Sequence, residues 1–291
     1  MFKKIAVTNH NGGVGKSVTS TNIAKGLANK GYKVLLIDAD PQATTTDTVS
    51  GIGNEFSSVQ KNRVKEMIEK GKDRFAAYKE VISCEDKDFD LSDVLEEPEN
   101  ILKAIYKSNF KNIDILPATI RLDHSDKDIR DDNTRSGPER LKIAFEILEE
   151  EMPNKYDFVI SDNAPRNDLV VTNTVLVSDL VIIPIKCDRK SARGFIRTLE
   201  TLLLIQRRNR TNFDFKLLLQ MTNRNNNDKE NINFYQDIFP DYTFNSFIRY
   251  QGKPISDADL NKKIVIDDKH AAVAKDYEML VDELLQYFGM V

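Results

Sequence analysis

The sequence predicts an α/β fold: a doubly wound, mostly parallel sheet with a helical insertion. Three observations predict it. Short, continuous apolar runs recur along the chain. Segments of helical apolar spacing separate most of them. The first run leads through a glycine-rich loop into the first helix. Strands alternating with helices point to a parallel sheet covered on both faces.

Taken in order, Ile5–Thr8 is the first strand. Between Lys16 and Lys30, apolar Val18, Ile23, Ala24 and Leu27 recur at mixed helical spacing, and Gly31 stops the helix. Val34–Ile37 is wholly apolar, as a strand buried on both faces should be. Together these segments form a βαβ unit. Residues 50–90 break the rhythm with mixed charges and few large apolar side chains, and they read as a solvated helical insertion. Further strands are expected at Ile113–Leu116, Phe158–Ile160, Leu180–Ile185, Phe215–Met221 and Phe244–Ile248. Arg140–Met152 carries Leu141, Ala144, Phe145 and Leu148 at helical spacing, and Gly194–Ile205 carries Phe195, Leu199, Leu202 and Leu203. No repeat, low-complexity linker or boundary divides the chain, so residues 1–291 read as a single domain.

Of the 291 residues, 40% are hydrophobic, enough for a sizeable core, and 30% are charged. A formal net charge of −4 excludes global attraction to nucleic acid, so DNA binding needs a local basic patch. Cys84 and Cys187 stand far apart in no metal-type spacing, which fits a reducing, cytosolic compartment. A strand that runs straight into a glycine loop predicts no signal peptide. No apolar run approaches the ~20 residues of a membrane span.

The loop reads Asn9-His10-Asn11-Gly12-Gly13-Val14-Gly15-Lys16-Ser17. Gly15, Lys16 and Ser17 satisfy the end of the phosphate-loop pattern G-x-x-x-x-G-K-[ST], while His10 stands where its first glycine would be. Glycines let backbone N–H groups curl around a phosphate, and the following helix adds the positive end of its dipole. Lys16 can reach β- and γ-phosphate oxygens, and the Ser17 hydroxyl can ligate Mg²⁺. Two acidic segments support this. Asp38 and Asp40 follow the second strand, where side chains face the ligand crevice. Asp162 follows Phe158–Ile160, the Walker-B position that helps hold Mg²⁺.

With these pieces in this order, the sequence resembles the ParA/MinD group of deviant Walker-A ATPases, most closely ParA-type partition proteins. The matching residues are NHNGGVGKS (9–17), DADPQA (38–43), DILPA (114–118), YDFVISDNAP (156–165) and SDLVIIPIKCD (178–188), with AAVAKDYEMLVDELL (271–285) matching more loosely. The resemblance covers most of the chain outside 50–90. It implies an ATPase that uses ATP and Mg²⁺ and dimerises around the nucleotide. It further implies non-specific DNA as a ligand, a ParB-like centromere-binding partner that stimulates slow hydrolysis, and a cytoplasmic, nucleoid-associated role in positioning DNA cargo. By motif position, Asn11, Gly12, Gly13, Val14, Gly15, Lys16, Ser17 and Val18 line the nucleotide phosphates. Ser17, Asp38 and Asp162 lie at the Mg²⁺ shell, and Asp40 positions or activates the attacking water, with Lys16 as its catalytic companion.

The chain departs from that pattern at three positions. Asn11 stands where the family has the lysine that reaches the partner subunit's ATP, and asparagine brings no charge to the transferring phosphate. Val18 replaces a threonine and Ala164 a proline. Arg166, just past the Walker-B segment, offers either a substitute cation or a surface salt bridge. A nucleotide-gated binding module with little turnover is therefore the alternative reading.

Gln206-Arg207-Arg208-Asn209-Arg210 follows the Gly194–Ile205 helix. Arg207, Arg208 and Arg210 are either a DNA-binding patch, extended by Arg189, Lys190, Arg193 and Arg197, or charges complementing a helix dipole. Asn223 follows the Phe215–Met221 strand, and its amide can pair with an adenine edge. The terminal KDYEMLVDELLQYFGMV is acidic on its polar positions, which argues against a MinD-like membrane anchor. SDNAPR lacks the cysteine that iron–sulfur relatives of the group use.

Overall fold

A computed structural model describes residues 2–50, 58–83, 89–132, 136–223 and 225–290. Cys84, Arg224 and parts of the 50–90 segment lie outside the described residues. The chain opens with β1 (Lys3–Val7), α1 (Lys16–Asn29) and β2 (Val34–Ala39). Five helices follow: α2 (Thr44–Ser50), α3 (Ser58–Glu69), α4 (Arg74–Ser83), α5 (Leu91–Glu96) and α6 (Ile101–Ala104). The short strand β3 (Tyr106–Lys107) precedes β4 (Ile113–Leu116), α7 (Leu122–Asp131) and α8 (Arg140–Glu151). Next come β5 (Phe158–Asn163), α9 (Leu169–Leu176), β6 (Leu180–Lys186), α10 (Arg189–Asn209) and β7 (Asp214–Thr222). They are followed by α11 (Asn226–Ile238), β8 (Ile248–Arg249), α12 (Gly252–Leu260) and α13 (Ala272–Tyr287).

One eight-stranded sheet runs β3-β4-β2-β5-β1-β6-β7-β8. Every pairing is parallel except β3 with β4. Strands β2 and β4 lie on one side of β1 and β6 and β7 on the other, so the loop after β1 opens where the winding changes direction. Successive residues of a strand face opposite sides. Ile5, Val7, Leu36 and Ile160 pack under α1 and α13, while Leu35, Ile37 and Val159 pack under α5 and α8 on the other face. Covering both faces explains why all six residues of β2 are buried. Where α1 crosses α13, a Cβ on Gly26 would come within 2.6 Å of Val281 Cγ2 and 2.8 Å of Ile266 Cδ1, so the two helices need glycine to approach this closely.

Three elements differ from expectation. The strand expected over Phe244–Ile248 is reduced to Ile248–Arg249. The Glu283 carboxylate of α13 accepts the N–H groups of Asn245 (2.7 Å) and Ser246 (2.8 Å), which are thereby removed from a strand ladder. Helix α10 begins five residues before Gly194, capped by the Asp188 side chain on the Ser191 N–H at 2.7 Å. Its last turn contains Arg207 and Arg208 rather than preceding them. Strand β3 is a two-residue antiparallel edge with no apolar run to announce it. Within the 50–90 segment, α3 and α4 pack on each other.

Candidate nucleotide site

The loop between β1 and α1 is shaped by two left-handed glycines and one asparagine. Gly13 (φ 68°) and Gly15 (φ 83°) adopt the region that glycine enters without steric cost. At Gly15 there is a second demand, because a Cβ would lie 2.5 Å from Gln220 Oε1 of β7. Gln220 in turn donates from Nε2 to Thr19 Oγ1 (2.5 Å), tying α1 to the end of β7. Buried Asn9 joins the loop to β6: its Oδ1 accepts the Asn11 N–H at 2.8 Å, and its Nδ2 donates to the Pro184 carbonyl at 2.7 Å. The Lys16 ammonium folds back over the loop, donating to the carbonyls of Asn9 (3.1 Å) and Asn11 (3.0 Å). Burial pushes its pKa below the usual lysine value, against the opposing pull of Asp162 and Asp40.

Strand register assembles the acidic half. Asp162 pairs with Val7 of β1 on one side and with Asp38 of β2 on the other. Two buried carboxylates thus emerge on one rung, at the end of the sheet that bears the loop. Asp162 accepts from Thr45 Oγ1 (2.6 Å) and Ser20 Oγ (3.2 Å), and also from the Ser17 hydroxyl. Asp38 accepts from the Thr46 N–H (2.7 Å), Thr46 Oγ1 (2.8 Å) and the Asp40 N–H (3.1 Å). Burial, and then the charge of Asp162, push the Asp38 carboxyl up to about 8. Burial also raises Asp162, with Thr45, Ser17, Lys16 and Ser20 pulling the other way. Among the described residues no group of three or more His, Cys, Asp or Glu side chains forms a metal cage. A serine hydroxyl beside two buried carboxylates fits Mg²⁺, which keeps waters and takes phosphate oxygens rather than an all-protein shell. Asp40 sits just beyond β2, half-buried, its carboxylate on the Gln42 N–H at 2.9 Å.

The first half of the loop rides on α10. The His10 N–H donates to Thr198 Oγ1, and its ring Nε2 lies 3.1 Å from Thr201 Oγ1. Asn11 lies against Gly194, where a Cβ would come within 2.2 Å of its amide nitrogen. Gly12 is exposed, Val14 is buried, and Val18 packs on the core under α1. Arg166 is engaged by Asp123 at 2.5 Å on the surface. Asn223 is exposed on the same rim as the loop, just past β7, its N–H held by Asp228 at 2.5 Å. Arg207, Arg208 and Arg210 are exposed at the far end of α10. That end of the sheet is opposite the loop, since Asp214 just beyond them pairs with Leu180 at the start of β6. The sequence assigns no role to Ser20, Thr45, Thr46 or Gln220. The threonine run Thr44-Thr45-Thr46, directly after DADPQA, was the signal for two of them.

An ordinary aspartate titrates at about 4, so folding raises Asp38 and makes the native state hold a proton that the unfolded chain releases. This contribution to stability is complete below about pH 4 and is lost as pH rises through the folded value of about 8. We expect a carboxyl titration followed by NMR to place the Asp38 midpoint in the ligand-free protein far above the ordinary range. A midpoint near that of a solvated aspartate contradicts the buried carboxylate pair.

A model of the AAA domain family matches residues 2–216. The sporulation initiation inhibitor protein Soj of Bacillus subtilis is 29% identical over 286 residues, spanning 98% of each chain. The chromosome partitioning protein ParA of Caulobacter vibrioides is 24% identical over 288 residues, spanning 98% of this chain and 94% of that one. The crystal structure of a putative plasmid partition protein from Borrelia burgdorferi B31, bound to AMPPNP, shares the fold with a TM-score of 0.70 at 23% identity, covering 99% of this chain and 100% of that one. The loop, the paired carboxylates and the family match over residues 2–216 agree: the chain belongs to the AAA domain family and is a ParA/MinD-type P-loop ATPase.

Proposed function

We propose that this ATPase binds ATP with Mg²⁺, dimerises around the nucleotide, binds DNA without sequence preference and hydrolyses ATP slowly to position DNA cargo. The observation that carries the reading is the convergence of Lys16, Ser17, Asp38 and Asp162 on one glycine-shaped loop. Asn11, Gly12, Gly13, Val14, Gly15 and Val18 complete the phosphate cradle. Lys16 exchanges the two loop carbonyls for β- and γ-phosphate oxygens, a better partner for an ammonium whose burial penalises its charge. Ser17, Asp38 and Asp162 would hold Mg²⁺ directly or through its waters. When bound, the metal would neutralise negative charge on the phosphates. Asp40 positions the attacking water, and Asn223 on the β7 rim contacts the base.

The DNA, dimer and partner assignments rest on the family and its partition relatives, and so does a cytoplasmic, nucleoid-associated location. Arg207, Arg208 and Arg210 offer an exposed cationic end of α10 for phosphates, and a ParB-like centromere-binding protein is the expected stimulating partner. No helix among the described residues is long and apolar enough to cross a membrane. We read the whole chain as one domain with α3 and α4 as its insertion.

The direct test is Lys16→Ala, which should abolish ATP binding in calorimetry; unchanged affinity overturns the site. For DNA, Arg207→Ala, Arg208→Ala and Arg210→Ala combined should weaken binding to a duplex of any sequence and flatten its salt dependence. A triple variant that shifts DNA as well as the parent removes the patch from the proposal.

A second reading, a nucleotide-gated module that barely turns over, is favoured by one observation. Position 11 presents an amide packed on Gly194 where a cation would meet the transferring phosphate. An added cation in related chemistry contributes roughly 10³–10⁵ in rate. We expect Asn11→Lys to raise single-turnover hydrolysis at least about tenfold, a modest part of that range because the longer side chain must leave the Gly194 surface. Equal rates for the two proteins mean that position 11 has no catalytic role.

A further inference from the structure

The end of the sheet opposite the loop carries a cleft of about 420 Å³, lined among others by Lys33, Lys107, Lys111, Lys155, Asp114 and Tyr156. Lys33 precedes β2, Lys107 ends β3, Lys111 precedes β4 and Lys155 precedes β5. Register brings these starts together, since Val34 pairs with both Ile113 and Phe158. We propose that this cleft is a second anion site, built for a phosphate-bearing ligand and separate from the nucleotide loop.

The charge distribution carries the proposal. Four lysines line the cleft together with one aspartate, in a chain whose formal net charge is −4. That carboxylate is already shared: Asp114 accepts from Lys107 Nζ on both oxygens at 2.9 Å and from the Tyr156 hydroxyl at 2.8 Å. The neighbouring Asp157 carboxylate is turned to the Lys33 backbone N–H at 2.7 Å. Among the described residues, Lys33, Lys111 and Lys155 have no carboxylate partner. The nearest partners of Lys155 are soft ones, Met152 Sδ at 3.2 Å and the Tyr156 ring at 5.5 Å. Like charges gathered around a concave surface repel one another and raise the local positive potential, and a bound polyanion relieves both effects. Lysine binds phosphate as a point charge without needing a fixed fork geometry. The volume falls within the roughly 300–1,000 Å³ range of small-ligand pockets, so a nucleotide-sized phosphate ester fits. A stretch of DNA backbone is the other source of the same chemistry. Arg207, Arg208 and Arg210 lie at this same end of the sheet, beside the start of β7. From β2 to β7 is four strand spacings, about 19 Å at about 4.8 Å each.

The experiment compares the full chain with the triple variant Lys33→Gln, Lys111→Gln, Lys155→Gln, and with the triple arginine variant that keeps the charges. In one arm all three proteins also carry Lys16→Ala, to silence the nucleotide loop, and sodium pyrophosphate is titrated by calorimetry. In the other arm Lys16 is intact, Mg²⁺ and ATP are present, and duplex DNA binding is followed against salt. Loss of pyrophosphate affinity by at least about tenfold in the glutamine variant, retained with arginine, supports a small phosphorylated ligand. A fall of about 2 to 3 in the slope of log affinity against log salt, from about 0.9 per phosphate contact, supports the DNA backbone. ATP affinity unchanged in the glutamine variant shows that the fold and the nucleotide site are intact, so failure here is separate from failure of the proposed function. Neither change, in a variant that still binds ATP, overturns the proposal.

Discussion

Two carboxyl groups buried on one rung of a parallel sheet set the terms for everything around the loop. Asp38 and Asp162 are adjacent because β2 and β5 pair in a single register, and that register is fixed by strands apolar on both faces. Ionising both of them side by side is costly, which is why Asp38 keeps its proton, and the polar groups of the pair still need partners. The chain supplies hydroxyls from Ser17, Ser20, Thr45 and Thr46, backbone N–H groups from Asp40 and Thr46, and the Lys16 ammonium. Each donor belongs to α1, α2 or the turn after β2. The carboxylate pair therefore dictates how the first helix, the second helix and the turn between them are arranged.

The other half of the site depends on a different link. Asn9 fastens the loop to β6, and His10 and Asn11 lie along α10. Helix α10 then runs the length of the sheet and ends in exposed arginines. One helix therefore touches the loop at its first turns and presents cations at its last.

Much of this was legible in the sequence, for physical reasons that also explain the failures. The loop could be read because its chemistry lies in contiguous residues, with a strand before it and a helix after it. The carboxylates could be read because strand ends are marked by the last apolar residue of β2 and β5. The hydroxyls on Asp162 could not, because Ser20 and Thr45 meet it only through packing across more than a hundred residues of sequence. The strand over Phe244–Ile248 failed because Glu283, 37 residues beyond Ser246, takes the N–H groups that the ladder would have used. Helix α10 was read short because its opening turn, from Arg189 to Arg193, is mostly polar and carries no apolar period.

The contact between Asn11 and Gly194 has a consequence for how such a chain diverges. A glycine inside a helix costs about 1 kcal/mol relative to alanine, so drift alone favours its replacement. Here a Cβ would meet the Asn11 amide, so replacement requires that side chain to turn away from the helix. Positions 11 and 194 are thus epistatic. A lineage that gains bulk on the helix must first shrink or redirect the loop residue. The two substitutions share one contact, so their effects on stability need not add.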